Sequence, residues 1–248
     1  MNKLGCLFKY VLLISVAVYL FFAFTKFSQQ GDHSTCERLR ITISDSAHAG
    51  FITAAETERL IRKAGLDPIG RPMDSISSRA IEVSLLKNPF IKDVTCYKTP
   101  DRALNVVVIQ RLPVLRIIAD NGEDYYIDEN GYTMQPLGYV ADLCVATGDI
   151  DKAFTRNHLV RVGKYLRDNA FWNDQIEQIN VSPARKLDLI PRVGDQIIHL
   201  GSTDSLELKF KNLRAFYDGV MPTVGWNKYS EITLEHVNQV ICKKRGQK

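Results

Sequence analysis

The five histidines, His33, His48, His158, His199 and His236, are the side chains best suited to hold a metal or pass a proton. Their spacing serves neither purpose. No pair stands at i, i+4, where two imidazoles on one helix face could meet a cation, so surface or internally satisfied histidines are expected. The acid pairs Glu123–Asp124 and Asp128–Glu129 carry the charge of an acid–base couple, but each flanks an Asn-Gly turn, where carboxylates ordinarily cap backbone N–H groups. Gly201-Ser202 is not a nucleophile elbow, and neither His-Glu-x-x-His nor a phosphate loop occurs. Ser202 or Asp204 reads instead as the N-cap of a helix. No enzyme, cofactor or metal is expected.

The cysteines are Cys6, Cys36, Cys96, Cys144 and Cys242, with no Cys-x-x-Cys pair. Two disulfides are arithmetically available to the last four. A body of this size needs no covalent staples, so buried reduced thiols are the favoured reading.

Net charge narrows the partners further. The chain carries 32 basic and 28 acidic residues, but three of the lysines precede residue 27, where no acid occurs. Setting aside those and the tail (Lys243, Lys244, Arg245, Lys248) leaves a slightly acidic body. The electrostatic footprint of a nucleic-acid binder is absent.

Tyr10 to Thr25 is the longest uncharged run, with Lys9 and Lys26 at its ends. Sixteen residues rise about 24 Å as a helix, and snorkelling lysines extend that toward a hydrocarbon core of about 30 Å. The early lysines predict a cytoplasmic tail (1–9), a retained signal anchor (10–27) and an exported body. A cleaved signal peptide is the alternative, but Phe22-Ala23-Phe24-Thr25-Lys26-Phe27 offers no small-x-small cleavage site.

A polar linker (28–38) leads to an alternating strand at Leu39, Ile41 and Ile43. Thr53-Ala54-Ala55-Glu56 is a capping box opening a helix that stops at Gly65. A second helix starts at Asp74 or Ser75 and ends before Asn88-Pro89. Strands follow at Ile91 to Lys98 and Ala103 to Gln110. The pattern strand, helix, helix, strand, strand predicts an α+β module over 39–111. Beyond Pro113 short strands and tight turns predict a mostly antiparallel β domain over 112–243, with two covering helices, Arg156 to Asn169 and Asp204 to Asp218. A basic tail (244–248) ends the chain.

Several local patterns, in this order, point to a family. They are Asn88-Pro89-Phe90-Ile91-Lys92-Asp93-Val94, Pro100-Asp101-Arg102-Ala103-Leu104, Gln110-Arg111-Leu112-Pro113-Val114, Tyr126-Ile127-Asp128-Glu129-Asn130-Gly131-Tyr132, and Glu231-Ile232-Thr233-Leu234 with Asn238-Gln239-Val240. Behind an anchor, the chain resembles the FtsQ/DivIB cell-division proteins, with a polypeptide-transport-associated (POTRA) domain followed by a β domain. Departures occur at Gln110, where an acid is usual, Phe90, where Trp is common, and Thr233, where Asp is frequent.

The resemblance implies a non-enzymatic divisome scaffold in the bacterial inner membrane at the septum, a single-pass type II protein with a periplasmic body. It implies bitopic partners of the FtsB and FtsL type, and proximity to an FtsW/FtsI-type synthase and an FtsK-type protein. The family's behaviour and the terminal position suggest strand addition at the closing hairpin, Glu231 to Lys243. Its expected partner-binding residues are Ile232, Leu234, His236, Val240, Ile241 and Cys242. The alternative is a POTRA-type secretion or outer-membrane assembly factor, for which repeated copies would be expected; no internal repeat is present.

Overall fold

The computed structural model describes residues 12–23, 34–44, 51–136, 138, 142–236 and 238–246. The expected tail (1–9), both flanks of the expected span and most of the linker lie outside these, as do Cys6, His33 and His48. Helix α1 covers 12–23, with its apolar side chains exposed. Twelve residues rise about 18 Å, and among the described residues no helix is long and apolar enough to cross a membrane. Helix α1 lies within the expected span (10–27), whose two ends fall outside the described residues.

The folded chain divides into two compact units, and each has its own sheet. The first takes in the described residues up to Thr42, Ala54–Leu85 and Val94–Val108; the second takes in Ile43–Thr53, Leu86–Asp93 and Ile109–Lys248.

In chain order, the first sheet and its helices are β1 (Arg38–Ile43), α2 (Ala54–Lys63), a 3₁₀ turn (Met73–Ser75), α3 (Ser78–Leu85), β2 (Ile91–Thr99) and β3 (Ala103–Gln110). The sheet order is β1-β3-β2. Placing β3 in the middle follows from its composition: Leu104, Val106 and Val108 are wholly buried. Helix α2 turns Thr57 and Ile61 inward, and α3 turns Ile81 and Leu85. At the end of α2, Gly65 adopts φ +71°, and Leu66 N–H reaches back to Ile61 O at 3.1 Å, the expected glycine stop.

The second unit carries β4 (Pro113–Ala119), β5 (Asp124–Asp128), β6 (Thr133–Met134), β7 (Val145–Gly148), β8 (Ile176–Val181), β9 (Leu187–Pro191), β10 (Ile197–Gly201), β11 (Tyr229–Thr233) and β12 (Ile241–Lys244). They form one nine-stranded sheet in the order β12-β11-β10-β9-β8-β7-β4-β5-β6. The pairs β4–β7, β7–β8 and β10–β11 are parallel. The sheet is thus mixed, although antiparallel pairs remain the majority.

Helices α4 (Lys152–Phe154) and α5 (Val160–Arg167) flank a π-helical turn, Thr155–Leu159; α6 (Ala170–Gln175), α7 (Leu206–Gly219) and α8 (Met221–Val224) follow. Two covering helices were expected. The first runs to Arg167, close to its expected end, with the π-helical turn inside it; α6 is additional and starts behind Asn169, whose side chain accepts from Trp172 N–H. Helix α7 begins behind Ser205, in a left-handed conformation (φ +51°) and without a side-chain cap. Ser202 and Asp204 instead bond each other at 2.8 Å, so neither is the expected N-cap. Leu159, Val162, Leu166, Phe210 and Leu213 share one core with Ile117, Ile179, Leu189, Ile198 and Ile232.

At the other side of that unit, Phe51 and Phe90 stack at 5.2 Å, and Tyr126 meets each edge-on. Gln110, buried, accepts the Ile52 N–H at 3.0 Å. A neutral amide oxygen suffices for that bond, which gives the departure from an acid there a physical reading.

Candidate strand-docking edge

Strand β12 is the outermost strand at one end of the nine-stranded sheet, with β11 on its inner side. The two are antiparallel, with Thr233 opposite Ile241, Ile232 opposite Cys242 and Glu231 opposite Lys243. The expected hairpin exists, but its second strand starts at Ile241 instead of Gln239, and its first runs parallel to β10.

The six expected partner-binding residues separate by depth. Ile232 and Leu234 belong to the core, so neither is accessible to a partner. His236 is exposed in the connection between the strands, where Glu235, His236, Asn238 and Gln239 line an open depression. Val240 and Cys242 are half-buried against the core. Ile241 is 47% exposed, on the outermost strand. Of the six, only Ile241 therefore presents a large apolar surface, with exposed Lys243 and Lys244 further along the strand.

Charge is ordered across this end of the sheet. His199 Nδ1 lies 2.7 Å from Asp188 Oδ1, and its Nε2 lies 3.8 Å from Glu231 Oε2. Glu231 Oε1 accepts from Lys243 Nζ at 2.8 Å. Asp188, His199, Glu231 and Lys243 thus form a ladder over β9, β10, β11 and β12. The Lys243 hydrogen bond first, then the Lys243 and His199 charges, hold Glu231 below the ordinary carboxylate range. Glu235 is lowered likewise, chiefly by the hydrogen bond from Lys186. Beyond β12, Arg245 forks onto Asp195 and donates to Asn227 O, fixing the end of the strand.

Sequence reasoning missed this ladder. Alternation alone marks which residues share a face, but the parallel β10–β11 pairing that brings His199 beside Glu231 has no local signal.

Under β10 lies Lys209, almost fully buried. Its ammonium donates to Leu200 O and Ser202 O, each at 2.8 Å, and burial lowers its pKa. It ties α7 to the end of β10. Among the described residues no group of three or more His, Cys, Asp or Glu could hold a metal ion. The four described cysteines are unbridged; Cys36, Cys96 and Cys144 are buried.

The architecture, a βααββ module followed by a mixed sheet ending in a terminal hairpin, has counterparts. The profile of the family described as "FtsQ/DivIB, C-terminal related" matches residues 112–243, more than half of the chain. The chain belongs to this FtsQ/DivIB-related family. A "POTRA-like domain" profile matches residues 34–109, in front of that region. The "Cell division protein FtsQ" of Geobacter sp. (strain M21) is 24% identical over 199 residues, 75% of this chain and 70% of the relative. In this FtsQ/DivIB-related chain the matched region contains the whole nine-stranded sheet apart from the last residue of β12.

Proposed function

We propose that this chain is a non-enzymatic, membrane-anchored cell-division protein that recruits other chains by accepting an extended segment along β12. Membership of the FtsQ/DivIB-related family and the Geobacter relative's name support the division role. The uncharged run before Lys26 supports the anchor, with the body on the outer face of the bacterial inner membrane, at the septum. The partners are bitopic division proteins of the FtsB and FtsL type, and through them an FtsW/FtsI-type synthase; an FtsK-type protein is a further partner.

One observation carries the docking site: β12 is an outer strand on which Ile241 is exposed, beside half-buried Val240 and Cys242. Backbone groups on such a rim supply affinity to an added strand, and alternate side chains supply selectivity. Ile232 and Leu234 act from beneath, by fixing β11; His236, Val240, Ile241 and Cys242 line the rim.

A photo-cross-linker at position 241 of the full-length chain in dividing cells should capture a bitopic partner, and a cross-linker at Thr133 on the opposite outer strand should not. Ile241→Asp should reduce capture by a neighbouring cross-linker at Lys243 about tenfold or more, the ratio that 1.4 kcal/mol of lost contact gives. Equal capture from positions 241 and 133, or undiminished capture in Ile241→Asp, would refute docking at β12. Depletion should produce filaments; outer-membrane defects without filaments would favour the secretion alternative.

A further inference from the structure

The first sheet also has outer strands, and β2 is the longer of them at nine residues. A strand of that length invites edge-to-edge pairing unless something occupies its rim. Here a side chain does. The backbone N–H of Cys96, midway along β2, donates to Glu82 Oε1 at 2.9 Å. A strand N–H has one direction, so a group bonded to a carboxylate on α3 is not part of the ladder to β3. Glu82 therefore holds the place that the carbonyl of an incoming strand would need.

The guard is itself held. The Glu82 side chain is 17% exposed, and Arg79 Nη1 stands 3.5 Å from its other oxygen, Oε2. Two residues along β2, on the side chain face shared with Cys96, Lys98 sends its ammonium to Met73 O in the 3₁₀ turn. An acid and a base thus bind the strand to the two elements beside it. A carboxylate is a stronger acceptor than a neutral peptide carbonyl, so exchange of one for the other is unfavourable.

We infer that Glu82 is an edge guard: it closes β2 to strand addition and so prevents the first unit from pairing with extended chains, including second copies of this protein. This does not depend on docking at β12, and its test reads a different strand.

The test is residue-resolved hydrogen exchange of the full-length chain in detergent micelles, together with photo-cross-linking from Thr95 on β2. In the natural chain the Cys96 amide should be protected although it faces an outer rim. Glu82→Gln keeps a carbonyl oxygen at the same reach and should keep most of that protection. Glu82→Ala should expose the amide, speeding exchange about tenfold or more, and should yield Thr95 cross-links between copies. Glu82→Asp, one methylene shorter, should also lose protection while retaining the charge on α3, and serves if Glu82→Ala misfolds. Retained protection at Val106 and Val108, on central β3, reports that the fold is intact. Unchanged Cys96 exchange in Glu82→Ala or Glu82→Asp with that fold intact would overturn the guard. So would Thr95 cross-links between copies as strong in the natural chain as in the variants.

Discussion

Arg111 and Asp128 form a closed ion pair: Nη1 and Oδ2 are 2.9 Å apart, and the two side chains are only 17% and 4% exposed. Asp128 Oδ1 accepts from the N–H groups of Asn130 and Tyr132, so both carboxylate oxygens are occupied. Arg111 also lies over the Tyr132 ring at 3.9 Å and donates to Pro89 O. The Gln-Arg-Leu-Pro-Val segment and the Asp-Glu-Asn-Gly turn, read separately from the sequence, are thus two halves of one contact.

Removing one partner of this pair leaves the other buried and uncompensated. Asp128→Ala should destabilise the second unit by about 3–5 kcal/mol. Chemical denaturation monitored by tryptophan fluorescence checks this; a loss below about 1 kcal/mol, the range of exposed pairs, would show that the contact contributes little.

Gly163 on α5 meets β4 at close range. A Cβ there would lie 2.5 Å from Leu115 Cγ and 3.1 Å from Val114 Cγ2, both side chains being buried. Alanine is the better helix former, so an exposed site would gain stability from this change. Here Gly163→Ala should instead cost about 1–3 kcal/mol by overpacking. A raised thermal midpoint would contradict this packing.

Alkaline pH should weaken the fold through buried weak acids. Burial pushes Cys144 up to about 12, burial and then the Glu82 charge push Cys96 up to about 12, and burial pushes Tyr217 up to about 12. The unfolded chain ionises these groups near 9.0 and 10.0. Between those values and 12 the unfolded state has lost protons that the folded state retains, so stability falls as pH rises; below 9 the contribution is complete. The urea midpoint should therefore drop as pH rises from about 9 toward about 12, with a shallower drop in Cys144→Ala. An identical slope in that variant would remove Cys144 from the account.

Arg245 should govern the mobility of β12 more than the stability of the whole. Its guanidinium is 2.8 Å from Asp195 Oδ2 and its partners are exposed, so the pair itself is worth about 0–1 kcal/mol. Arg245→Ala should leave the thermal midpoint within a few degrees while β12 amides exchange about fivefold or more faster than those of β10, as expected when a terminal strand opens locally. Uniform acceleration across the sheet would instead indicate global destabilisation.

The order of elements was largely legible in the chain. Periodicity placed β1, α2, α3, β2 and β3, because a strand between polar flanks or a helix between a capping box and Gly65 is decided within a few residues. The hairpin turns at Asn121-Gly122 and Asn130-Gly131 were equally local. Helix caps were less so: Ser202 and Asp204 satisfy each other, and α7 starts from a left-handed Ser205.

Among the six edge residues, sequence placed all of them in or beside one hairpin but could not grade their depth. Ile232 and Ile241 have the same side chain, yet one is enclosed and the other is 47% exposed. Folding sets them on different faces: Ile232 stands opposite Cys242, on the face that packs into the core, while Ile241 stands opposite Thr233, on the other face of an outer strand.

Short-range chemistry, then, was set by the chain alone: the uncharged run, the turn residues, the alternation of strands and the lack of ligand spacing among the histidines. Long-range partnership was decided only by folding. The parallel pairing of β10 with β11, the meeting of Arg111 with Asp128, and the carboxylate of Glu82 on the Cys96 amide join residues 14 to 34 positions apart. No local propensity encodes such contacts, because their energy arises only when separate segments exclude water together.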